Sequence, residues 1–382
     1  MSIYLDNAAT TKIAPEAFEA MLPYLQDDYG NPSSAYELGR NARDAIEVAR
    51  VRMARLFNCR THNIIFTSGG SESNSMVFKG LKDRLTKTGK THIITTSIEH
   101  SSVLRAAESL SNEGFAVTYV NPGANGKIVI NELRREIRED TGLISVMHIN
   151  NETGAVNDIA KIGVLCDEMG ILFHSDCVQS AGSLRIDTKV LNGLDFASIS
   201  AHKIHGAKGV GALFIREPEI LSPLIEGGGT QEFGLRGGTE NVAGIVAFGV
   251  AAELVNQGYK RGLKQKFLAR LERAFGGSLG SAQIHINGGS EHDPGMIVNL
   301  FIGGVSGETL MFMLDSQGVC VSTGSACNSH ELKPSHVLTA IGMSDERARS
   351  SIRVSFSRYT TVEEVENAAD IMAGCIKTLR QY

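Results

Sequence analysis

The chain carries the runs NIIFTS (63–68), THIITTS (91–97), AVTYV (116–120), LISVMHI (143–149), ILFHSD (171–176), DFASIS (195–200) and GALFI (211–215). Each run is short and rich in residues that favour β-strands. Helical patterns lie between them: residues 101–113 place Val103, Leu104, Ala107 and Leu110 along one apolar stripe, and residues 159–169 look similar. Strands that alternate with helices predict an α/β fold in which a mainly parallel sheet lies between helices.

The pattern changes from about residue 263 onward. The runs there are a charged helix KQKFLARLERAF (264–275), a strand MIVNLFI (296–302), a helix around ETLMFMLDSQG (308–318), strands VCVST (319–323) and SIRVSFS (351–357), and a final helix. That helix opens with the capping-box spacing of Thr361 and Glu364. Because 382 residues exceed what one core usually supports, we predict a smaller α+β C-terminal domain.

Composition and charge exclude several classes of protein. Apolar residues make up 42% of the chain and charged residues 21%, as in soluble globular proteins, and a net charge of −5 argues against a basic nucleic-acid-binding surface. The apolar run 242–252 is too short to span a bilayer, the first residues show no secretory pattern, and the six cysteines form no CxxC pair. We expect a cytoplasmic protein with reduced thiols, no metal site, and no direct contact with membrane or nucleic acid.

Two segments that follow predicted strands carry polar groups suited to a ligand. Residues 66–74, FTSGGSESN, lead into a helix, and their glycines let backbone amides approach a phosphate, although they could simply form a turn. Residues 174–179, HSDCVQ, place Asp176 and Gln179 at the carboxyl edge of the sheet, where ligands of open α/β folds bind. The positive charge of a protonated pyridine nitrogen would pair with the carboxylate of a buried Asp176. Asp176 could equally cap the next helix.

Lys203 follows the next predicted strand and is the strongest candidate for a lysine that forms a Schiff base. Such an amine reacts only when it is unprotonated, which a desolvated pocket near other cationic groups favours. His202, His205 and Lys208 provide that neighbourhood. The alternative is an ordinary solvated surface charge.

Cys327 differs in context from the other cysteines. It lies in STGSACNSH (322–330), whose small polar residues cannot pack a core and therefore predict a mobile surface loop. Cys59, Cys166, Cys320 and Cys375 instead have the apolar surroundings of buried thiols. An accessible thiol at Cys327 could act as a nucleophile.

Asn151 and Arg353 are candidates for binding a substrate carboxylate. Asn151 follows the predicted strand 143–149, and Arg353 lies within the predicted strand 351–357. A guanidinium can bind a carboxylate through two parallel hydrogen bonds. When Arg353 is considered alone, an ordinary structural ion pair explains it equally well.

Taken in order, these segments resemble the cysteine desulfurases of the NifS/IscS type, which belong to the class V aminotransferase family of fold type I PLP enzymes. The resemblance covers nearly the whole chain. It rests on YLDNAATT, GNPSSAYELG, FTSGGSES, SIEHSSV, NNETGAV, HSDCVQSAG, SAHKIHGAKGVGALFI, GGTQEFGLRGGTEN, STGSAC and SSIRVSFSRYTT. The implied cofactor is pyridoxal 5′-phosphate (PLP), and the implied assembly is a homodimer.

The resemblance implies a role for each matching residue. Lys203 would form the Schiff base, His100 would stack on the pyridine ring, Asp176 would pair the ring nitrogen, and Gln179 would meet the phenolic oxygen. The phosphate would be bound by Gly70, Ser71, Ser200 and His202, together with Thr239 of the partner subunit. Asn151 and Arg353 would bind the carboxylate of L-cysteine.

The implied reaction converts L-cysteine to L-alanine. Lys203 would remove the α-proton, His100 would exchange protons at the substrate sulfur, and Cys327 would take the sulfur as a persulfide. The spacing of Cys327 to Arg353 matches the branch with a long nucleophile loop. The sulfur would then pass to an acceptor for iron-sulfur cluster assembly or nucleic-acid thiolation, including tRNA thiolation or DNA phosphorothioation.

We expect three parts: an N-terminal segment 1–15 that packs with the small domain, a large PLP-binding domain 16–260, and a small domain 261–382 that carries the nucleophile loop 322–333. Four residues depart from the family pattern without removing a chemical role: Gly70, Cys177, Ala207 and Gly237. The chain stops at Tyr382, without the tail that housekeeping members present to an iron-sulfur scaffold, which puts that partner in doubt.

Two other functions remain open. One is a selenocysteine lyase or another fold type I PLP enzyme such as an aminotransferase. The other is a non-catalytic cysteine- and histidine-containing metal-binding or sulfur-relay module, which the poor ligand spacing disfavours.

Overall fold

The structure, a computed structural model, describes residues 2–255, 262–289, 296–323 and 334–381. Its strands are β1 (Ile3–Tyr4), β2 (Ile64–Thr67), β3 (His92–Thr96), β4 (Ala116–Val120), β5 (Thr141–Ser145), β6 (Leu172–Asp176), β7 (Phe196–Ser200), β8 (Gly211–Ile215), β9 (Ile284–Ile286), β10 (Ile297–Ile302), β11 (Val319–Cys320) and β12 (Ser351–Ser355). Its helices are α1 (Pro15–Met21), α2 (Pro23–Gln26), α3 (Glu37–Phe57), α4 (Gly70–Lys87), α5 (Ser101–Asn112), α6 (Ile130–Arg135), α7 (Ile159–Met169), α8 (Val242–Val255), α9 (Leu263–Ala274), α10 (Gly307–Ser316), α11 (His336–Ala340), α12 (Asp345–Arg349) and α13 (Val362–Leu379).

The large sheet has seven strands among the described residues, in the order β2-β8-β7-β6-β5-β3-β4. All neighbouring pairs are parallel except those of β8, which is antiparallel to both β2 and β7. The predicted α/β fold with a mainly parallel sheet is therefore confirmed. Buried residues alternate between its faces: Ile64 and Phe66 pack in one apolar cluster, and Ile65 packs in another.

One predicted strand ends earlier than expected. The run 143–149 suggested a strand to Ile149, but β5 ends at Ser145. The backbone still follows β6, because Val146 and His148 donate hydrogen bonds to the carbonyls of His174 and Asp176. The chain then turns sharply, and this turn brings Asn151 to the edge of the sheet.

The C-terminal part contains a smaller α+β arrangement, as predicted. Its antiparallel sheet has the order β12-β10-β9, and α9 and α13 pack with it around a third apolar cluster. Leu5 belongs to the same cluster, and β1 pairs in parallel with β11. The capping box of Thr361 and Glu364 is present at the start of α13. Within the described ranges, no helix has both the length and the apolar character needed to cross a membrane.

Candidate active site

The loops that follow β2, β3, β5, β6 and β7 surround one cavity of about 260 Å³ at the carboxyl edge of the large sheet. Ten of the residues predicted from the sequence line it: Gly70, Ser71, His100, Asn151, Asp176, Gln179, Ser200, His202, Lys203 and Arg353. Thr239 lines a neighbouring cavity with Glu232 and Arg236 instead. Cys327 and residues 324–333 of the predicted nucleophile loop lie outside the described residues.

Lys203 lies on a short helical turn directly after β7. Its Nζ donates hydrogen bonds to the backbone carbonyls of Ala8 (2.5 Å) and Ala9 (2.7 Å). The Gln179 side chain donates to the same Ala8 carbonyl, at 2.9 Å. The N-terminal segment thus orients both side chains. The sequence alone assigned no role to Ala8 and Ala9, because these contacts use the backbone.

Asp176 is the last residue of β6, and only 4% of its surface is exposed. Its Oδ2 accepts a hydrogen bond from Asn74 Nδ2 (2.8 Å), and its Oδ1 accepts one from the backbone NH of Val178 (3.0 Å). Both donors are neutral, and a buried carboxylate is costly without a positive partner. A cation at the base of the cavity would supply that partner.

Asn74 is a cavity residue to which the sequence analysis gave no role. Its Nδ2 contacts Asp176 and also Ser102 Oγ (2.9 Å), while its buried Oδ1 has no hydrogen-bond partner. Asn74 lies one helical turn after Gly70 on α4, so both residues face the same side. That spacing could have identified it.

His100 is the N-cap of α5. The backbone NH of Ser102 donates to its Nδ1 (3.2 Å), and the Ser102 hydroxyl lies 2.7 Å from the same nitrogen. An Nδ1 that accepts a hydrogen bond leaves the ring proton on Nε2. Burial, opposed by Asp176 and reinforced by Lys203, lowers the pKa of His100. The imidazole is therefore neutral at physiological pH.

The N-terminus of α4 forms one end of the cavity. A Cβ added at Gly70 would lie 2.7 Å from Cγ2 of Val178, so a larger residue there would displace the Val178 side chain. Ser71 and Ser200 place hydroxyls beside the free amides of this helix end, which favour an anion. His202 contacts Thr10 Oγ1 through Nδ1 (3.1 Å), and burial, reinforced by Lys203 and Lys208, lowers its pKa to about 4.

Arg353 lies on β12 and is 3% exposed. Its Nη2 donates to Asp6 Oδ1 (2.8 Å), and its Nη1 donates to the backbone carbonyl of Asn151 (3.0 Å). Its Nε is buried without a hydrogen-bond partner. Arg353 lines the cavity, where its guanidinium is available to a carboxylate. Asp6, which orients the guanidinium, was not identified from the sequence.

The described cysteines are poor candidates for a reactive thiol. Cys166, Cys177 and Cys375 are buried, whereas Cys59 and Cys320 are only half-buried, less than the sequence suggested. Burial raises the pKa of Cys59 and of Cys177 to about 12, and it also raises the pKa of Cys166, Cys320 and Cys375. Cys177 lies beside Asp176, yet these thiols stay protonated at neutral pH.

Comparison with known proteins identifies the family. The family model described as Aminotransferase class-V matches residues 3–368. The chain belongs to this family. It is 42% identical over 384 residues to the cysteine desulfurase IscS of Dictyoglomus turgidum, with 99% of this chain and 95% of that protein covered. Within the class V family, it is therefore a member of the NifS/IscS group.

Two solved structures are similar to this chain over almost their whole length. A NifS-like protein superposes with a TM-score of 0.87 at 34% identity, covering 99% of this chain and all of that one. The structure named SspA in complex with cysteine gives a TM-score of 0.81 at 37% identity, covering 94% of this chain and all of that one. Class V enzymes of this group are PLP-dependent.

The cavity fits PLP. An aldehyde can react with Lys203, a phosphate can meet the amides and hydroxyls at the N-terminus of α4, and a protonated ring nitrogen can pair the buried Asp176. The Asn74 Oδ1 without a partner shows that the polar groups of the cavity are not yet satisfied within the chain. Among the described residues, no group of three His, Cys, Asp or Glu side chains could hold a metal ion.

Glu99, next to His100, is a fully buried carboxyl that sequence reasoning did not single out. Its Oε1 accepts hydrogen bonds from Thr96 Oγ1 and from the backbone NH of Met147, both at 2.8 Å, while Oε2 is buried without a partner. Burial, partly offset by these two hydrogen bonds, raises its pKa from 4.5 to about 8. Glu99 is therefore protonated in the folded protein at neutral pH.

The variant Glu99→Gln should weaken the pH dependence of stability. As pH rises from 4.5 toward 8, Glu99 ionises in the unfolded chain but keeps its proton in the folded one. The folded state then binds more protons, so the wild type loses stability over this range, by a few kcal/mol at most, on the order expected for such a shift. Urea unfolding at several pH values measures the difference between the two proteins.

Glu108→Gln on the exposed surface of α5 is the matched control for this experiment. Parallel curves of unfolding free energy against pH for the wild type and Glu99→Gln would contradict the assignment of a protonated Glu99.

Proposed function

We propose that the chain is a PLP-dependent cysteine desulfurase that converts L-cysteine to L-alanine and takes the sulfur on Cys327 as a persulfide. One observation carries the proposal: a single cavity is lined by Lys203, the buried Asp176 and Arg353. An amine for the cofactor and a guanidinium for a carboxylate are what a PLP enzyme acting on an amino acid requires.

Bound PLP supplies an electron sink for the bonds at the substrate α-carbon. Asp176 would pair the positive charge of the ring nitrogen, Gln179 would meet the phenolic oxygen, and His100 would lie against the ring. Gly70, Ser71, Ser200 and His202 would hold the phosphate, with Thr239 of the partner subunit. The position of Thr239, outside this cavity in its own chain, supports that assignment.

The chain's own residues then handle the substrate. Arg353 and Asn151 hold the carboxylate of L-cysteine and fix the α-carbon beside Lys203. The Lys203 amine would move the α-proton. His100 carries its ring proton on Nε2 and exchanges protons at the substrate sulfur, a role suited to a neutral imidazole.

Sulfur transfer balances without an external oxidant. The Cys327 thiolate attacks the substrate sulfur and forms an S–S bond, while the bond from Cβ to sulfur breaks and its electron pair stays on the substrate carbon. That carbon takes a proton and leaves as L-alanine, and the enzyme keeps a persulfide. The high pKa values of the five described cysteines support Cys327 as the acceptor.

We further propose a cytoplasmic homodimer with the segment 1–15, the large domain 16–260 and the small domain 261–382. Leu5 in the third apolar cluster supports the packing of the N-terminal segment with the small domain, although Thr11 also bonds to His202 of the large domain. The persulfide sulfur goes to an acceptor protein for iron-sulfur cluster assembly or nucleic-acid thiolation.

The test is to incubate the holoenzyme with L-cysteine and a thiol reductant, with no keto acid, and to measure alanine and sulfide. Equal amounts of both products support a desulfurase. An aminotransferase would need a keto acid and release no sulfide. A selenocysteine lyase would release alanine from L-selenocysteine but not from L-cysteine. Either of these results would overturn the proposal.

A further inference from the structure

The described residues on both sides of the segment 324–333, which contains Cys327, contact the substrate-binding part of the cavity. On the N-terminal side, Ser322 pairs with Arg353 through two backbone hydrogen bonds, of 3.1 Å and 2.6 Å. Arg353 also bonds to the carbonyl of Asn151. The chain before Cys327 is thus attached directly to a residue that we assign to the substrate carboxylate.

On the C-terminal side, the contact is made by side chains. The Ser335 hydroxyl donates a short hydrogen bond to Oε2 of Glu152. Both residues are buried, with 6% and 5% of their surfaces exposed. Glu152 directly follows Asn151 in the turn after β5, and its backbone NH donates to Asn150 Oδ1 (2.9 Å). This contact connects the Asn151 turn to the chain after Cys327.

Ser335 also fixes the start of α11. Its hydroxyl oxygen accepts a hydrogen bond from the backbone NH of Leu338 (3.2 Å), which makes Ser335 the N-cap of that helix. The next residue, His336, contacts the backbone carbonyl of Glu99 through Nε2 (3.0 Å). Val337 packs in a core cluster of the large sheet. The first turn of α11 is therefore held between the Glu99 turn and the Glu152 turn.

A carboxyl at the position of Glu152 is costly. Burial raises its pKa to about 7, partly offset by the hydrogen bond from Ser335 and by the charge of Arg353. A buried acid without a cation in direct contact weakens the fold unless it is compensated. An apolar residue would avoid that cost, so stability alone does not account for this pair. The pair of Glu152 and Ser335 connects the Asn151 turn with the chain after Cys327, which suggests a role in positioning that chain.

We infer that Glu152 is a positioning residue for sulfur transfer: through Ser335 it fixes the start of α11, which comes after the segment that contains Cys327, relative to the Asn151 turn. This inference rests on the proposed function of Cys327. Cys327 is five residues after Ser322 and eight residues before Ser335. Ser322 and Ser335 are thus the described attachments on either side of Cys327, and Glu152 holds the second of them.

The test separates substrate binding from sulfur transfer. Holoenzymes of the wild type, Glu152→Ala, Ser335→Ala and Glu152→Gln are mixed with L-cysteine without reductant. Binding is followed by the change in cofactor absorbance, and persulfide on Cys327 is followed by rapid alkylation and mass measurement. We expect Glu152→Ala and Ser335→Ala to slow persulfide formation about 10- to 100-fold, because small misplacements of reacting groups have effects of this size. The concentration of L-cysteine that gives half-maximal binding should change by less than about twofold.

Glu152→Gln should recover most of the rate, because its side-chain carbonyl can accept the Ser335 hydrogen bond. The matched control is Ser344→Ala, which removes the N-cap of α12, a serine that accepts a hydrogen bond in the same way without contacting Glu152. It should react like the wild type.

Three results would decide against the inference. They are wild-type persulfide rates in both Glu152→Ala and Ser335→Ala, an equal loss of cysteine binding and persulfide formation, or an equal slowing in Ser344→Ala. A wild-type holoenzyme that forms no persulfide on Cys327 is a different result, because it overturns the proposed function itself.

Discussion

Replacing Cys327 with Ser should lower alanine production from L-cysteine by at least about 100-fold, as the loss of a catalytic nucleophile does. A serine hydroxyl is not ionised at neutral pH and is a poor nucleophile toward sulfur. The described cysteines cannot take over, because burial raises the pKa of each of them. The substrate sulfur then has no acceptor when the bond from Cβ to sulfur would break, so the rates of alanine and sulfide formation should fall together.

Cys320→Ser is the matched control, since Cys320 is half-buried in the same C-terminal part of the chain. It should keep most of the wild-type rate. The cofactor absorbance of Cys327→Ser should still change on addition of L-cysteine, which shows that its binding steps are intact. Alanine formation at the wild-type rate in Cys327→Ser would refute the persulfide mechanism and favour a lyase that acts directly on its substrate.

Replacing Lys203 with Ala should remove both the covalent attachment of PLP and the base for the α-proton. Purified Lys203→Ala should therefore lose its yellow colour after gel filtration, and its turnover of L-cysteine should fall by at least about 1,000-fold. The contacts of Nζ with the Ala8 and Ala9 carbonyls are lost as well. Absorbance spectra and alanine measurement test these expectations.

Lys208→Ala provides the comparison, because Lys208 lowers the pKa of His202 but does not line the main cavity. It should keep its colour. A yellow Lys203→Ala protein with normal turnover would assign the Schiff base to another lysine. A colourless wild type would leave the non-catalytic metal-binding or sulfur-relay module as the explanation.

The strands and the residues that directly follow them were predictable from the sequence. Asp176 and Lys203 come at strand ends, and parallel strands bring their carboxyl ends to one edge of the sheet. The period-two pattern of a strand and the pattern of a helix can be recognised from neighbouring residues alone. The residue at the end of such an element can be identified in the same way. Local patterns therefore predicted Asp176, Gln179 and Lys203, whereas the roles of His100, Ser200 and His202 were implied by the family resemblance.

Residues whose roles depend on distant partners were not predictable in the same way. Glu152 and Ser335 are 183 positions apart in sequence, so neither identifies the other. Asp6 and Arg353 come from opposite ends of the chain. Glu99 looks like any other glutamate until its complete burial is known. Burial and long-range pairing are properties of the folded chain, and no local pattern reports them.

The antiparallel strand β8 determines when the cofactor site can form during synthesis. It lies between β2, which leads into the phosphate-binding end of α4, and β7, which leads to Lys203. A nascent chain that has emerged only as far as Lys203 already contains Gly70 and Asp176, yet it lacks the strand that joins β2 to the rest of the sheet. Pairing across so long a loop is slow. The sheet edge that joins the N-terminus of α4 to Lys203 is therefore complete only once β8 has been added between β2 and β7.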